Sequence, residues 1–140
     1  MKISIGADHR GFVLKKAIIE FFNTVDWYDV GTDSQHRTDY PLYARSVAKN
    51  ILDQVTPIGI LICGSGAGIA MAANRFKKIY AAVCWNVDSA KLAKRDDALN
   101  ILVLPADFVT IDLACEIIKT WLETECKDGV YQQRLKMIDE

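Results

Sequence analysis

Five short apolar runs alternate with segments long enough for helices, and this alternation narrows the fold more than any other feature of the chain. The runs are Lys2 to Ala7, Trp27 to Val30, Ile58 to Cys63, Ile79 to Trp85 and Ile101 to Leu104. The intervening stretches are Gly11 to Asn23, Leu42 to Leu52, Gly66 to Arg75, Ser89 to Lys94 and Val109 to Thr124, with a last short helix expected over Tyr131 to Ile138. Strands that are apolar almost throughout are buried on both faces, so the pattern predicts an α/β fold: a Rossmann-like three-layer sandwich around a five-stranded parallel sheet. The common order of such a sheet, counted along the chain, is 2-1-3-4-5. In Val109 to Thr124 the residues Ile111, Ala114, Cys115, Ile118, Trp121 and Leu122 fall near one helix face, which reads as core. Gly129 is expected to end that helix if it reaches so far.

No repeat, low-complexity segment or linker divides the 140 residues, which read as a single domain over 1–140. With 17 basic against 18 acidic side chains the formal net charge is −1, so the clustered basic surface of a nucleic-acid binder is not expected. The longest apolar runs are far shorter than the roughly 20 residues that cross a bilayer. The apolar run at the N-terminus is too short for a signal peptide, and a cytoplasmic location is expected. Two histidines, His9 and His36, and four cysteines, Cys63, Cys84, Cys115 and Cys126, show no metal-ligand spacing. No metal is expected, and the cysteines read as free, small, buried hydrophobes, with Cys63 the exception.

Ligands of doubly wound sheets sit beyond the carboxyl ends of the strands, where the strand order reverses. The order above sets the first and third strands side by side, so the loops after Ala7 and Ile62 should face each other. The first reads Gly6-Ala7-Asp8-His9-Arg10-Gly11. Asp8 can cap the following helix, which leaves His9 and Arg10 free to meet an anion. The second reads Cys63-Gly64-Ser65-Gly66-Ala67-Gly68, a turn whose backbone N–H groups can converge on an anion at a helix start. It is neither a dinucleotide fingerprint nor a P-loop. At a helix N-terminus a thiol faces aligned N–H dipoles, and the Cys63 pKa is expected below the free value of about 8.5. Such a thiolate is a base or nucleophile near neutral pH, and Ser65 beside it can pass protons between oxygens.

In these motifs the chain resembles the type B ribose-5-phosphate isomerase family, which includes the galactose-6-phosphate isomerase subunits. The matching segments are ISIGADHRGF at 3–12, GT at 31–32, RTDYPLYA at 37–44, GILICGSGAGIAMAANR at 59–75 and QQRLKMI at 132–138. The resemblance implies an aldose-ketose isomerase of the pentose phosphate pathway that uses no metal or cofactor and acts on a sugar phosphate through an enediolate. In that scheme Cys63 is the base that moves a proton between C2 and C1, and Ser65 shuttles the hydroxyl proton. The N–H groups of the loop Gly64, Gly66, Ala67 and Gly68 hold the enediolate oxygens. Asp8 and His9 match a pair in the sugar-phosphate site, Arg134 matches an arginine that grips the phosphate, and Tyr43 is a candidate sugar contact. A homodimer or homotetramer with active sites shared between subunits is implied as well.

Three positions depart from the family's pattern. Asp96 stands where the family has the histidine that opens the furanose ring, and Asp107 and Val130 stand where arginines are common. Asp96 can act as that acid only if burial or Asp97 raises its pKa; otherwise the two are solvated charges at a helix end. Arg10 or Lys94 can make up for the missing guanidiniums. The expected reaction interconverts ribose 5-phosphate and ribulose 5-phosphate. The alternatives are a six-carbon phosphosugar isomerase, or a subunit of one, and a non-catalytic phosphosugar-binding module.

Overall fold

The period-two alternation of the strands divides the apolar side chains between two cores. The computed structural model describes residues 1–140 and contains five strands and six helices. In chain order they are β1 (Lys2–Ala7), α1 (Phe12–Phe21), β2 (Asp26–Asp29), α2 (Tyr40–Leu52), β3 (Ile58–Cys63), α3 (Ala67–Ala73), β4 (Ala81–Val83), α4 (Val87–Asp97), β5 (Ile101–Pro105), α5 (Ile111–Glu123) and α6 (Val130–Ile138). Ile3, Ile5, Ala7, Ile60, Ile62, Leu102 and Leu104 pack with residues of α1, α4 and α5 in one core. Leu61, Cys63, Ile101 and Val103 point the other way, into a second core with α2 and α3. Trp121, fully buried, anchors the first core and donates its indole N–H to Leu99 O at 3.0 Å.

All strand pairs are parallel, as expected, but the sheet order is β2-β1-β3-β5-β4, which corrects the expected 2-1-3-4-5. Burial explains the exchange. All five residues of β5 are buried, whereas the three of β4 are only half-buried, so β5 fills the interior slot and β4 takes the edge. The neighbours β1 and β3 are unaffected, with Ala7 opposite Ile62.

Gly129 does not close α5, which ends at Glu123; it has φ +73° and directly precedes α6. The additional C-terminal helix buries only Leu135. Its end is tied down by Asp139, whose carboxylate accepts from Lys78 N–H and Tyr80 O–H just ahead of β4. Cys126 is exposed, against the expectation of a buried thiol, while Cys63, Cys84 and Cys115 are buried and all four are free. No helix is long and apolar enough to cross a membrane.

Candidate active site

At the carboxyl end of the sheet the β1–β3 ladder runs one residue past β1: Asp8 N–H donates to Ile62 O at 3.3 Å. Asp8 is buried, and its carboxylate accepts from Arg10 N–H at 3.0 Å and Gly11 N–H at 3.3 Å. It therefore caps the turn that leads into α1, while Gly11 occupies the N-cap position itself. A Cβ on Gly11 would fall 2.7 Å from Ile62 Cγ2, so only glycine lets this turn press against β3. His9 accepts the Thr38 N–H on Nδ1 at 3.2 Å, and the neutral ring then carries its proton on Nε2. Beside it, Thr38 Oγ1 is buried with no hydrogen-bond partner.

The loop that carries Thr38 is held by Lys15, a helix residue that no motif of the sequence singles out. Its buried ammonium donates to Asp29 Oδ1 at 2.9 Å, Asp29 Oδ2 at 2.8 Å and Thr32 O at 2.7 Å. All three ammonium protons are thereby used.

Cys63 ends β3 on its α2/α3 face and is 5% exposed. Its Sγ accepts the Gly66 N–H at 3.2 Å, and Ser65 Oγ accepts the Ala67 N–H at 3.2 Å. Gly66 has φ +78°, and a Cβ there would also fall 3.0 Å from Val83 Cγ1. Burial pushes the Cys63 thiol up and outweighs the N–H groups of Ile69, Gly66 and Ser65, which act to lower it; the nearby Asp8 charge pushes in the same direction as burial. The expected low thiol pKa is thus corrected: taking the group out of water costs more than the loop dipoles return, and the resting group is the thiol.

Tyr40, not singled out from the sequence, lies on the loop: a Cβ on Gly68 would be 2.5 Å from Tyr40 Cζ. Tyr43 instead packs half-buried under the sheet, where a Cβ on Gly6 would be 3.3 Å from its own Cβ. It packs against the second core with Val30 and Ile51 rather than on the glycine loop. Arg10 is not free either: its guanidinium lies on Gly64 and forms an ion pair with Asp107.

Asp8, His9, Cys63, Gly64, Ser65, Gly66, Ala67 and Gly68 thus lie on two neighbouring loops at the carboxyl end of the sheet, but Arg134 does not join them within the chain. The α6 helix that bears it is anchored at Asp139 ahead of β4, and the segment before it at the end of α4 through Lys127 N–H to Arg95 O, both at the amino end of the sheet. Arg134 stacks on Tyr131 there, and Val130 opens the same helix. Asp96 sits at that end too, paired with Arg95 and 3.8 Å from Lys127 Nζ. Arg95 holds the Asp96 carboxyl below its usual range, so the raised pKa that an acid role needs is absent. A cavity of about 540 Å3 lined by Arg75, Tyr80, Leu135 and Asp139 is likewise remote from Cys63. No three His, Cys, Asp or Glu side chains gather closely enough to hold a metal ion.

The profile of the Ribose/Galactose Isomerase family matches residues 3–138. The chain belongs to this family. It is 41% identical over 139 residues to ribose-5-phosphate isomerase B of Escherichia coli K12, covering 98% of this chain and 93% of that protein. A crystal structure of a ribose 5-phosphate isomerase from Thermotoga maritima superposes with a TM-score of 0.96 at 39% identity, covering 99% of this chain and 97% of that one. The enzyme from Mycoplasma genitalium, solved with bound ribulose 5-phosphate, gives a TM-score of 0.92 at 35% identity, covering 98% and 93%. In this member of the isomerase family the shape of the glycine loop depends on Gly66. Gly66→Ala should cost roughly 1–2 kcal/mol for the left-handed backbone alone, read by urea unfolding. A loss of only a few tenths would show that the loop relaxes around the side chain.

Proposed function

We propose that the chain interconverts ribose 5-phosphate and ribulose 5-phosphate, with Cys63 as the base. Cys63 bears most of the weight: a thiol on the last residue of the third strand, seated in a glycine loop, with Asp8 and His9 across the β1–β3 seam. The substrate follows the names of the relatives, among them the protein solved with ribulose 5-phosphate. The orphaned Thr38 Oγ1 beside His9 fits a site built for a polar ligand, since buried polar atoms are normally paired.

On the open-chain aldose the Cys63 thiolate removes the C2 proton, and the electron pair forms the C1–C2 double bond of the enediolate. The thiol then returns the proton to C1, while the hydroxyl proton passes from O2 to O1 through Ser65 Oγ. Backbone N–H groups of residues 64–68 stabilise the oxygens, at about 3 kcal/mol for a well-placed donor. The Gly66 and Ala67 N–H groups act first on Sγ and Oγ, fixing where those atoms stand. His9 presents Nε2–H to a substrate oxygen, and Asp8 keeps the turn in shape. The four free cysteines support a reducing cytoplasm as the setting of this chemistry.

Arg134 reaches a phosphate only from a second copy, and we assign it to the site of a partner subunit in a homodimer. Purified protein should form ribulose 5-phosphate from ribose 5-phosphate faster than it turns over allose or galactose 6-phosphate; no turnover of the pentose at millimolar substrate would remove the assignment. Because burial raises the thiol and the base is its deprotonated form, kcat/KM should keep climbing with pH beyond about 8.5. A plateau at neutral pH would contradict this. Mixing inactive Cys63→Ala with inactive Arg134→Ala should restore about a quarter of the wild-type rate, since about half of random dimers are mixed and each holds one intact site. Failure to recover activity would place Arg134 outside the partner's site.

A further inference from the structure

We propose that Arg10 is the guanidinium this chain contributes to phosphate binding in its own site, held ready on Asp107 and exchanged from it onto the ligand. The assignment of phosphate as the ligand rests on the sugar-phosphate reading above.

Three observations place Arg10 there. Its backbone is fixed, because the Arg10 N–H is bound by the buried Asp8 carboxylate in the same turn that presents His9. Its side chain crosses to the glycine loop, where a Cβ on Gly64 would fall 2.4 Å from Arg10 Cζ and 2.6 Å from Nε. The guanidinium therefore rests on the backbone of the residue next to Cys63, in a space that exists only because Gly64 has no side chain. Its one ion-pair partner is Asp107, engaged through Nη2 alone. Asp107 in turn is set beside the loop by its N–H, which donates to Gly64 O at 3.0 Å.

The chemistry of that pair favours exchange. A guanidinium has five N–H donors in a planar fork, and a single contact to Asp107 leaves the fork mostly unused. The pair is open to water, with side chains 56% and 38% exposed, and such pairs contribute little to stability. A phosphate dianion offers twice the charge and a two-point fit to the fork. Asp107 therefore keeps the arm folded over Gly64 at little cost and is displaced by the stronger anion. In this arrangement a carboxylate at position 107 is the parking place for a cation that position 10 supplies.

Titration of the purified protein with inorganic phosphate, followed by calorimetry, tests this without any turnover. Arg10→Met should weaken phosphate binding by about tenfold or more, the scale of a lost charged hydrogen bond. Arg10→Lys, which keeps the charge and loses the fork, should fall between that variant and wild type. Asp107→Asn should tighten binding, because the competing carboxylate is gone. Circular dichroism of each variant confirms the fold, which an exposed pair does not control. Phosphate binding by Arg10→Met within twofold of wild type overturns the proposal, as does weaker binding by Asp107→Asn or no phosphate binding by wild type. Loss of phosphate affinity in Arg10→Met together with no isomerisation of any pentose phosphate would leave this inference standing and sink the reading of the reaction.

Discussion

The pairing of β1 with β3 is the constraint on which the site depends. With Ala7 opposite Ile62 and the ladder continued by Asp8 N–H to Ile62 O, the residues that follow the two strands emerge at the same height. A slip of one residue would turn Cys63 to the opposite face of the sheet, away from α3 and the glycine loop. The register is secured by Ile3, Ile5, Ile60 and Ile62 in one core and by glycines at 6 and 59 that let Val47 of α2 approach the other face. Hydrophobic packing in the two cores thus sets which residues face each other across the two loops.

Two opposing effects meet at Cys63. The loop directs N–H groups at the sulfur, as a thiolate needs, yet the residue is nearly inaccessible and faces the Asp8 charge. Burial wins, and the sulfur rests protonated. A base that takes a proton from carbon must be strong, and a high pKa makes the thiolate a stronger base at the expense of its population. The buried Lys15, with its three acceptor atoms on Asp29 and Thr32, serves the site indirectly: it fixes the segment at Thr32 on the way to Thr38, whose N–H sets the tautomer of His9.

The class of fold and the meeting of two loops were legible because they depend on local pattern: apolar runs, glycine spacing, and the alternation of strand and helix. The order of β4 and β5 was not, because a choice between interior and edge is made by burial summed over the whole sheet. In the sequence the fourth run, Ile79 to Trp85, is longer than the fifth, Ile101 to Leu104, whereas the folded β4 keeps only Ala81–Val83, half-buried, beside a fully buried β5. Long side chains were the hardest to place. Arg10 and Asp107 are 97 residues apart and meet only because Gly64 lies between them. Tyr40 and Tyr43 both lie on α2, yet the Tyr40 ring lies on Gly68 while Tyr43 packs into the second core, with its Cβ beside Gly6. At Cys63 the helix start is visible in the sequence and the depth of burial is not, so the sequence points to a lower thiol pKa than the structure gives.

Cys63 as the atom that moves the proton is the central claim, and isotope exchange reads it most directly. Ribose 5-phosphate incubated in deuterated water with Cys63→Ala protein should keep its C2 hydrogen, while the wild-type enzyme washes deuterium into C2 as it turns over. The variant should retain the wild-type circular dichroism spectrum. Exchange at C2 by a folded Cys63→Ala variant at a rate near that of wild type would contradict the account and assign the base to another group.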